Sequence, residues 1–136
     1  MNATLTDLFC LLLRLWLGGL MLFVHGWHKL AAPAEFIASG AHEFPLPAWS
    51  GWFAILAECV GGACLMAGFK TRVCAGAIAL VMLASAWAAH DASAWSDGRE
   101  LRLTLVLLAL FFAVQGGGPL SLDARFERHA RRRSPW

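Results

Sequence analysis

The sequence predicts an all-α membrane protein, a polytopic four-helix bundle, and three observations carry that prediction. Hydrophobic residues make up 59% of the 136 and charged residues only 15%, against roughly 45–50% and about 25% in soluble domains. The charges are clustered: Val73 to Ala89 and Leu103 to Leu122 carry none, Leu8 to Val24 carries only Arg14, and Ala48 to Phe69 carries only Glu58. A bilayer's hydrocarbon core takes about 20 apolar residues of helix, and the uncharged runs approach that length. A soluble helix would show a polar face recurring at every turn. Leu103 to Val114 offers only Thr104 for that purpose, and Val73 to Ala89 only Cys74 and Ser85.

Taken in order, the predicted spans cover residues 5–30, 47–68, 71–90 and 99–115. The N-terminus lacks a basic start, and no Ala-x-Ala site closely follows the first apolar run, so that run reads as a retained span rather than a cleaved leader. Residues 31–46 carry Pro33, Gly40 and Pro45 and read as an external loop. The short connection Gly68-Phe-Lys-Thr-Arg72 makes spans two and three an antiparallel hairpin. Residues 91–98 form a polar turn in which Ser93, or Ser96-Asp97, is placed to cap the last helix. Gly116-Gly-Gly-Pro119 ends that helix.

Four spans put both termini and the central connection on one side, with Lys70, Arg72, Arg125, Arg128 and Arg131 to Arg133. The opposite side holds Lys29, Arg99 and Arg102, together with Glu35, Glu43, Asp91, Asp97 and Glu100. The excess of basic residues places the termini in the cytoplasm. Residues 1–124 form the membrane domain. Residues 125–136 form a basic tail, which either lies on anionic headgroups through a face of Leu122, Phe126 and His129 or acts only as an orientation signal. Trp16, Trp27, Trp49, Trp52, Trp87 and Trp95 fall mostly near span ends, as in an interfacial aromatic belt.

Arg14 and Glu58 are the residues an apolar helix has to explain. Arg14 lies about ten residues inside the first helix, and Glu58 about eleven inside the second from the opposite side. That puts both near mid-bilayer, within roughly 5 Å in depth. An unpaired charge there costs at least about 2.5–3.5 kcal/mol. The expectation is therefore a buried Arg14–Glu58 pair, with Gly18-Gly19 and Ala57-x-x-x-Gly61 letting the backbones approach. The pair either fixes the register of the bundle or floors a polar cavity.

Helical periodicity brings Gly18, Met21, His25 and Lys29 onto nearly the face of Arg14, with His25 about 16 Å further out. His90 and Asp91 end the third span at the same level. His25, Lys29 and His90 are thus the candidate ligand-binding pocket, opening away from the cytoplasm and suited to a quinone-like headgroup with imidazoles that exchange protons. Two histidines on facing helices are also able to ligate a metal or haem. Histidines at span ends more commonly contact headgroups, so no metal ligand is assigned. His28 and His42 are expected in solvent.

Cys10, Cys59, Cys64 and Cys74 show no Cys-x-x-Cys spacing and read as packing thiols. That argues against thiol–disulfide exchange. A P-loop, a dinucleotide fingerprint and a nucleophile elbow are absent from the sequence. The basic tail is too short and too poor in aromatic residues for nucleic acid. No intrinsic electron carrier is visible, so redox chemistry requires bound quinone or a partner protein.

The order of these features resembles the DoxX family of small bacterial membrane proteins. It begins with Leu12-Leu-Arg14-Leu-x-Leu-Gly18, Phe23-Val-His25-Gly26 and Lys29-Leu30. It continues with Leu46-Pro47 leading to Ala57-Glu58-x-x-Gly61-Gly62, then Gly68-Phe-x-Thr71-Arg72, and ends with Gly116-Gly-Gly118-Pro119-Leu-Ser121-Leu122-Asp123-Ala124. Arg14, His25, Lys29 and Glu58 fall at positions of the family's pattern, His90 matches less closely, and the 31–46 loop does not align. The resemblance implies a four-helix bundle in the cytoplasmic membrane with links to redox and oxidative-stress metabolism, relatives including a membrane subunit of thiosulfate:quinone oxidoreductase. Three readings follow. The first is a redox-linked subunit binding a quinone or a small reduced or sulfur species. The second is a non-catalytic anchor or assembly partner for a soluble oxidoreductase. The third is a small-solute or metal-ion permease, which would need a homo-oligomer to supply a path, since no broken-helix pair or inverted repeat is visible.

Overall fold

A computed structural model describes residues 4–43, 47–88 and 98–133, and among these all regular structure is helical. Helix α1 (Leu5–Gly19) starts at a capping box: the Thr4 hydroxyl accepts from the Asp7 N–H at 3.2 Å, and the Asp7 carboxylate accepts from the Thr4 N–H at 3.0 Å. The helix runs on through a π-helical stretch, Leu20–Gly26, into α2 (Trp27–Ala31). Together they form one unbroken rod from Leu5 to Ala31.

The 31–46 segment is not the plain loop expected of it. Residues Pro33–Glu43 form helix α3. Pro33 occupies the first helical position, where its missing N–H costs nothing, and Glu35 complements the helix dipole in the first turn. The proline reads as a loop signal from sequence but here acts as a helix starter.

Helix α4 (Ala48–Ala67) ends in a Schellman turn: Gly68 adopts φ +73°, its N–H donates to the Leu65 carbonyl, and the Phe69 N–H donates to the Cys64 carbonyl. Helix α5 (Thr71–Ala88) follows directly, as the short connection predicts. Helix α6 (Arg99–Gln115) has Gly98 at its N-cap; the expected capping residues Ser93, Ser96 and Asp97 lie outside the described residues. Gly116 (φ +82°) stops α6. The tail is ordered as helix α7 (Leu122–Arg133), with Ser121 as its N-cap, accepting from the Ala124 N–H at 3.2 Å.

Helix α4 packs against α1 and the π-helical stretch on one side and against α5 on the other. Helix α5 packs along α6, and α6 returns to touch α1. The core between them holds Leu17, Met21, Leu65, Ala75, Ile78, Met82, Leu105, Ala109 and Phe112. Outside it, large apolar side chains face outward on every one of these helices, including Leu12, Trp16, Phe23, Val60, Leu80, Leu107 and Val114. Arg14 and Glu58, by contrast, are 1% and 0% exposed. Apolar outside and charged inside is the distribution of a protein solvated by lipid rather than water.

Two helices, Leu5–Ala31 and Trp49–Ala67, are long and apolar enough to cross a membrane; Thr71–Trp87 is apolar but shorter. Helix α6 opens with Arg99, Glu100 and Arg102 and is uncharged from Leu103 onward.

Small residues set the contact between α1 and α4, though not quite the ones expected. A Cβ on Gly18 would sit 2.6 Å from the Gly62 carbonyl oxygen, and one on Gly62 would sit 2.9 Å from the Gly18 oxygen. Gly19 faces open space, and Gly61 faces Ile78 of α5 instead.

Candidate functional site

The expected Arg14–Glu58 pair does not form. Arg14 lies at the level of Gly68, where a Cβ would approach its Nη1 to 2.5 Å. Gly68 is ten residues along α4 from Glu58, roughly 15 Å. The depth arithmetic fails because it starts both helices at one level. The rod from Leu5 to Ala31 is longer than α4 and overshoots its end, carrying Arg14 down to the α4–α5 turn. Two separate polar centres result.

At the first centre, Arg14 Nη1 donates to the Gly117 carbonyl at 2.5 Å and Nη2 to the Leu120 carbonyl at 3.1 Å. Asp123 is the opposing charge that acts on it. The Asp123 carboxylate accepts from the N–H groups of Lys70 at 2.8 Å and Thr71 at 2.9 Å, the first N–H groups of α5, and the Asp123 N–H donates to the Gly68 carbonyl at 2.9 Å. Burial alone would raise the Asp123 carboxyl, but the Thr71 and Lys70 N–H groups and the Lys70 charge hold it below its usual range. Ser121 donates to the Gly118 carbonyl at 2.6 Å and fixes the same turn. The sequence signal Gly-Gly-Gly-Pro-Leu-Ser-Leu-Asp is thus a backbone receptor for Arg14 and a cap for α5. Sequence reasoning missed this because carbonyl acceptors leave no mark in a residue pattern.

At the second centre, Glu58 Oε1 accepts from Lys29 Nζ at 2.5 Å. The Lys29 side chain is 20% exposed and reaches in from α2, with its ammonium 4.8 Å from the centroid of the Phe36 ring on α3. Glu58 Oε2 is buried and has no hydrogen-bond partner among the described residues. Lys29, a candidate pocket residue by its helical spacing, is the counter-ion of the buried carboxylate that the sequence assigns to Arg14. Phe36 was hidden in a segment read as loop.

The π-helical stretch decides which residue faces which neighbour. Buried positions on the rod run Arg14, Leu17, Gly18, Met21 and then Gly26. The five-residue step from Met21 to Gly26 is the mark of a widened turn. Gly26 therefore meets α4, where a Cβ would come within 2.7 Å of Cys59 Sγ. His25, which an unbroken α-helix would turn toward the Arg14 face, is half-buried beside it, and Lys29 and Arg102 are the charges that act on it. Arg102 reaches from α6 and donates to the Ser85 carbonyl of α5 at 3.3 Å.

His90 lies outside the described residues, as do Trp95 and the side chain of His42. His28 is exposed, as expected. All four cysteines are free thiols. Among the described residues no three His, Cys, Asp or Glu side chains gather as a metal-binding group.

No curated protein and no solved structure matches the chain. The DoxX family model matches residues 9–91, a stretch that contains Arg14, His25, Lys29 and Glu58. With that match over more than half of its length, the chain belongs to the DoxX family, a membrane protein family.

Proposed function

We propose that this protein is a multi-pass subunit of the bacterial inner membrane, a four-helix bundle of the α1–α2 rod, α4, α5 and α6 with both termini in the cytoplasm. Its polar centre around Lys29, Glu58 and His25 binds the headgroup of a quinone or a small reduced or sulfur species. The observation that carries the reading is Glu58: a fully buried carboxylate in apolar surroundings with one oxygen held by Lys29 and the other without a partner among the described residues.

The residues present fit such a headgroup. The Lys29 ammonium has donors beyond the one given to Glu58, and these suit a carbonyl oxygen. Glu58 Oε2 suits a hydroxyl. His25 lies four residues before Lys29 on the same rod and feels its charge, where an imidazole exchanges protons between the site and its surroundings. A quinone bound there would supply the two-electron chemistry that the chain's own side chains lack, with electrons coming from a soluble partner oxidoreductase. Orientation rests on the basic excess around Lys70, Arg72 and α7.

The test is purification in mild detergent, solvent extraction for bound quinone, and titration with a short-chain quinone read by tryptophan fluorescence, since Trp27 and Trp52 lie on the two helices that carry the site. Saturable quenching is expected, and it should disappear in the Lys29→Leu, Glu58→Leu double variant. Absence of both extractable quinone and quenching would refute the reading.

The alternative of a non-catalytic anchor draws on α7. This basic helix is held at the end of the molecule through Asp123, where Phe126 meets Phe69 edge-on at 6.3 Å. Stoichiometric co-purification of a soluble oxidoreductase that is lost when 125–136 is removed, with no quinone bound, would favour it.

A further inference from the structure

Glu58 offers a ligand one atom of defined character. Its Oε1 is taken by the Lys29 ammonium, and its Oε2, on a residue with 0% exposure, has no partner among the described residues. In the ion pair with Lys29 the carboxylate is the anionic partner, and an ionised carboxylate oxygen only accepts. A buried acceptor without a donor is unfavourable in apolar surroundings. The complement of this atom is therefore a group that brings its own hydrogen.

That requirement separates the two redox forms of one ligand. A ring bearing carbonyl oxygens is an acceptor alone: it can meet Lys29, but it leaves Oε2 bare. The same ring bearing hydroxyls meets both, since its oxygen accepts from Lys29 and its hydrogen is donated to Oε2. Phe36 lies against the same ammonium, with its ring centroid 4.8 Å from Nζ.

We infer that the site binds the reduced, hydroxyl-bearing form of its ligand in preference to the oxidised form, through a hydrogen bond donated to Glu58 Oε2. This rests on the ligand-binding reading of the Lys29–Glu58 centre.

The experiment compares menadiol with menadione as probes of the detergent-solubilised full chain, under anaerobic conditions with tryptophan quenching as the readout. The reduced probe is expected to bind at least tenfold more tightly. A tenfold preference raises the two-electron midpoint potential of the bound couple by about 30 mV, which electrochemistry reads independently. Glu58→Gln retains a carbonyl oxygen for Lys29 but presents an NH₂ donor at the open position. It should therefore abolish or reverse the preference while menadione still binds. Equal affinities in the wild type would overturn this inference and leave the ligand site standing. Tighter binding of menadione would overturn it and place a proton on Glu58. If neither probe binds, the ligand site itself fails with it.

Discussion

The Arg14 and Glu58 centres face the same difficulty, an ionisable side chain among apolar helices, and resolve it differently. Arg14 is met by two backbone carbonyls from the turn after α6, and the aspartate that acts on it caps the start of α5. Glu58 is met by one lysine from a neighbouring helix, on one oxygen only. The first arrangement joins the α1, α4–α5 and α6–α7 segments at a single point, as a structural fastener would. The second leaves one oxygen of a buried carboxylate without a partner among the described residues, which is why the proposed binding position is placed there.

The contrast can be broken by substitution. The largest effect is expected from Arg14→Leu, which removes two charge-assisted hydrogen bonds and strands two carbonyls, for a loss of about 3 kcal/mol. It is measurable as a lowered thermal midpoint in detergent, with probe affinity unchanged in the fraction that stays folded. If instead ligand binding disappears while stability holds, the division between the two centres is wrong.

Next in size is a double-mutant cycle. Lys29→Leu and Glu58→Leu should show a coupling energy of about 1–2 kcal/mol, because each single change leaves the other charge unpaired. Arg14→Leu and Glu58→Leu should be additive to within about 0.5 kcal/mol, as groups without shared partners are. Strong coupling between Arg14 and Glu58 would restore the pairing that the sequence suggested.

The smallest effect concerns Asp123. Its folded value lies below the ordinary carboxylate value, so its contribution is fully present above about pH 3.9 and is lost as the pH falls through the lowered value. Asp123→Asn should cost about 1 kcal/mol at neutral pH, as loss of a helix cap does, and should flatten the acid limb of the stability profile. An unchanged acid limb would remove Asp123 from the fastener.

How much of this was legible in the sequence follows from what kind of signal each feature leaves. Helix α6 was read to its boundaries, because Arg99 and Gly116 bracket an apolar run. The Gly68 turn was equally plain. Arg14 and Glu58 were found as anomalies, yet their partners were not. Partnering depends on the axial offset between two helices, and a rod that outruns its neighbour shifts that offset by several turns without altering any local pattern. Periodicity also assumed 3.6 residues per turn through Leu20–Gly26, where the wider turn exchanges Gly26 for His25 at the α4 interface. Helix α3, with Phe36 on it, was concealed by Pro33 at its first position and by Gly40 within it.

The reach of Arg14 has a consequence for how the protein is made. Its carbonyl acceptor on Gly117 stands 103 residues downstream. The helix that carries Arg14 is therefore synthesised well before the carbonyls that receive its guanidinium, and a chain truncated before Gly117 lacks them.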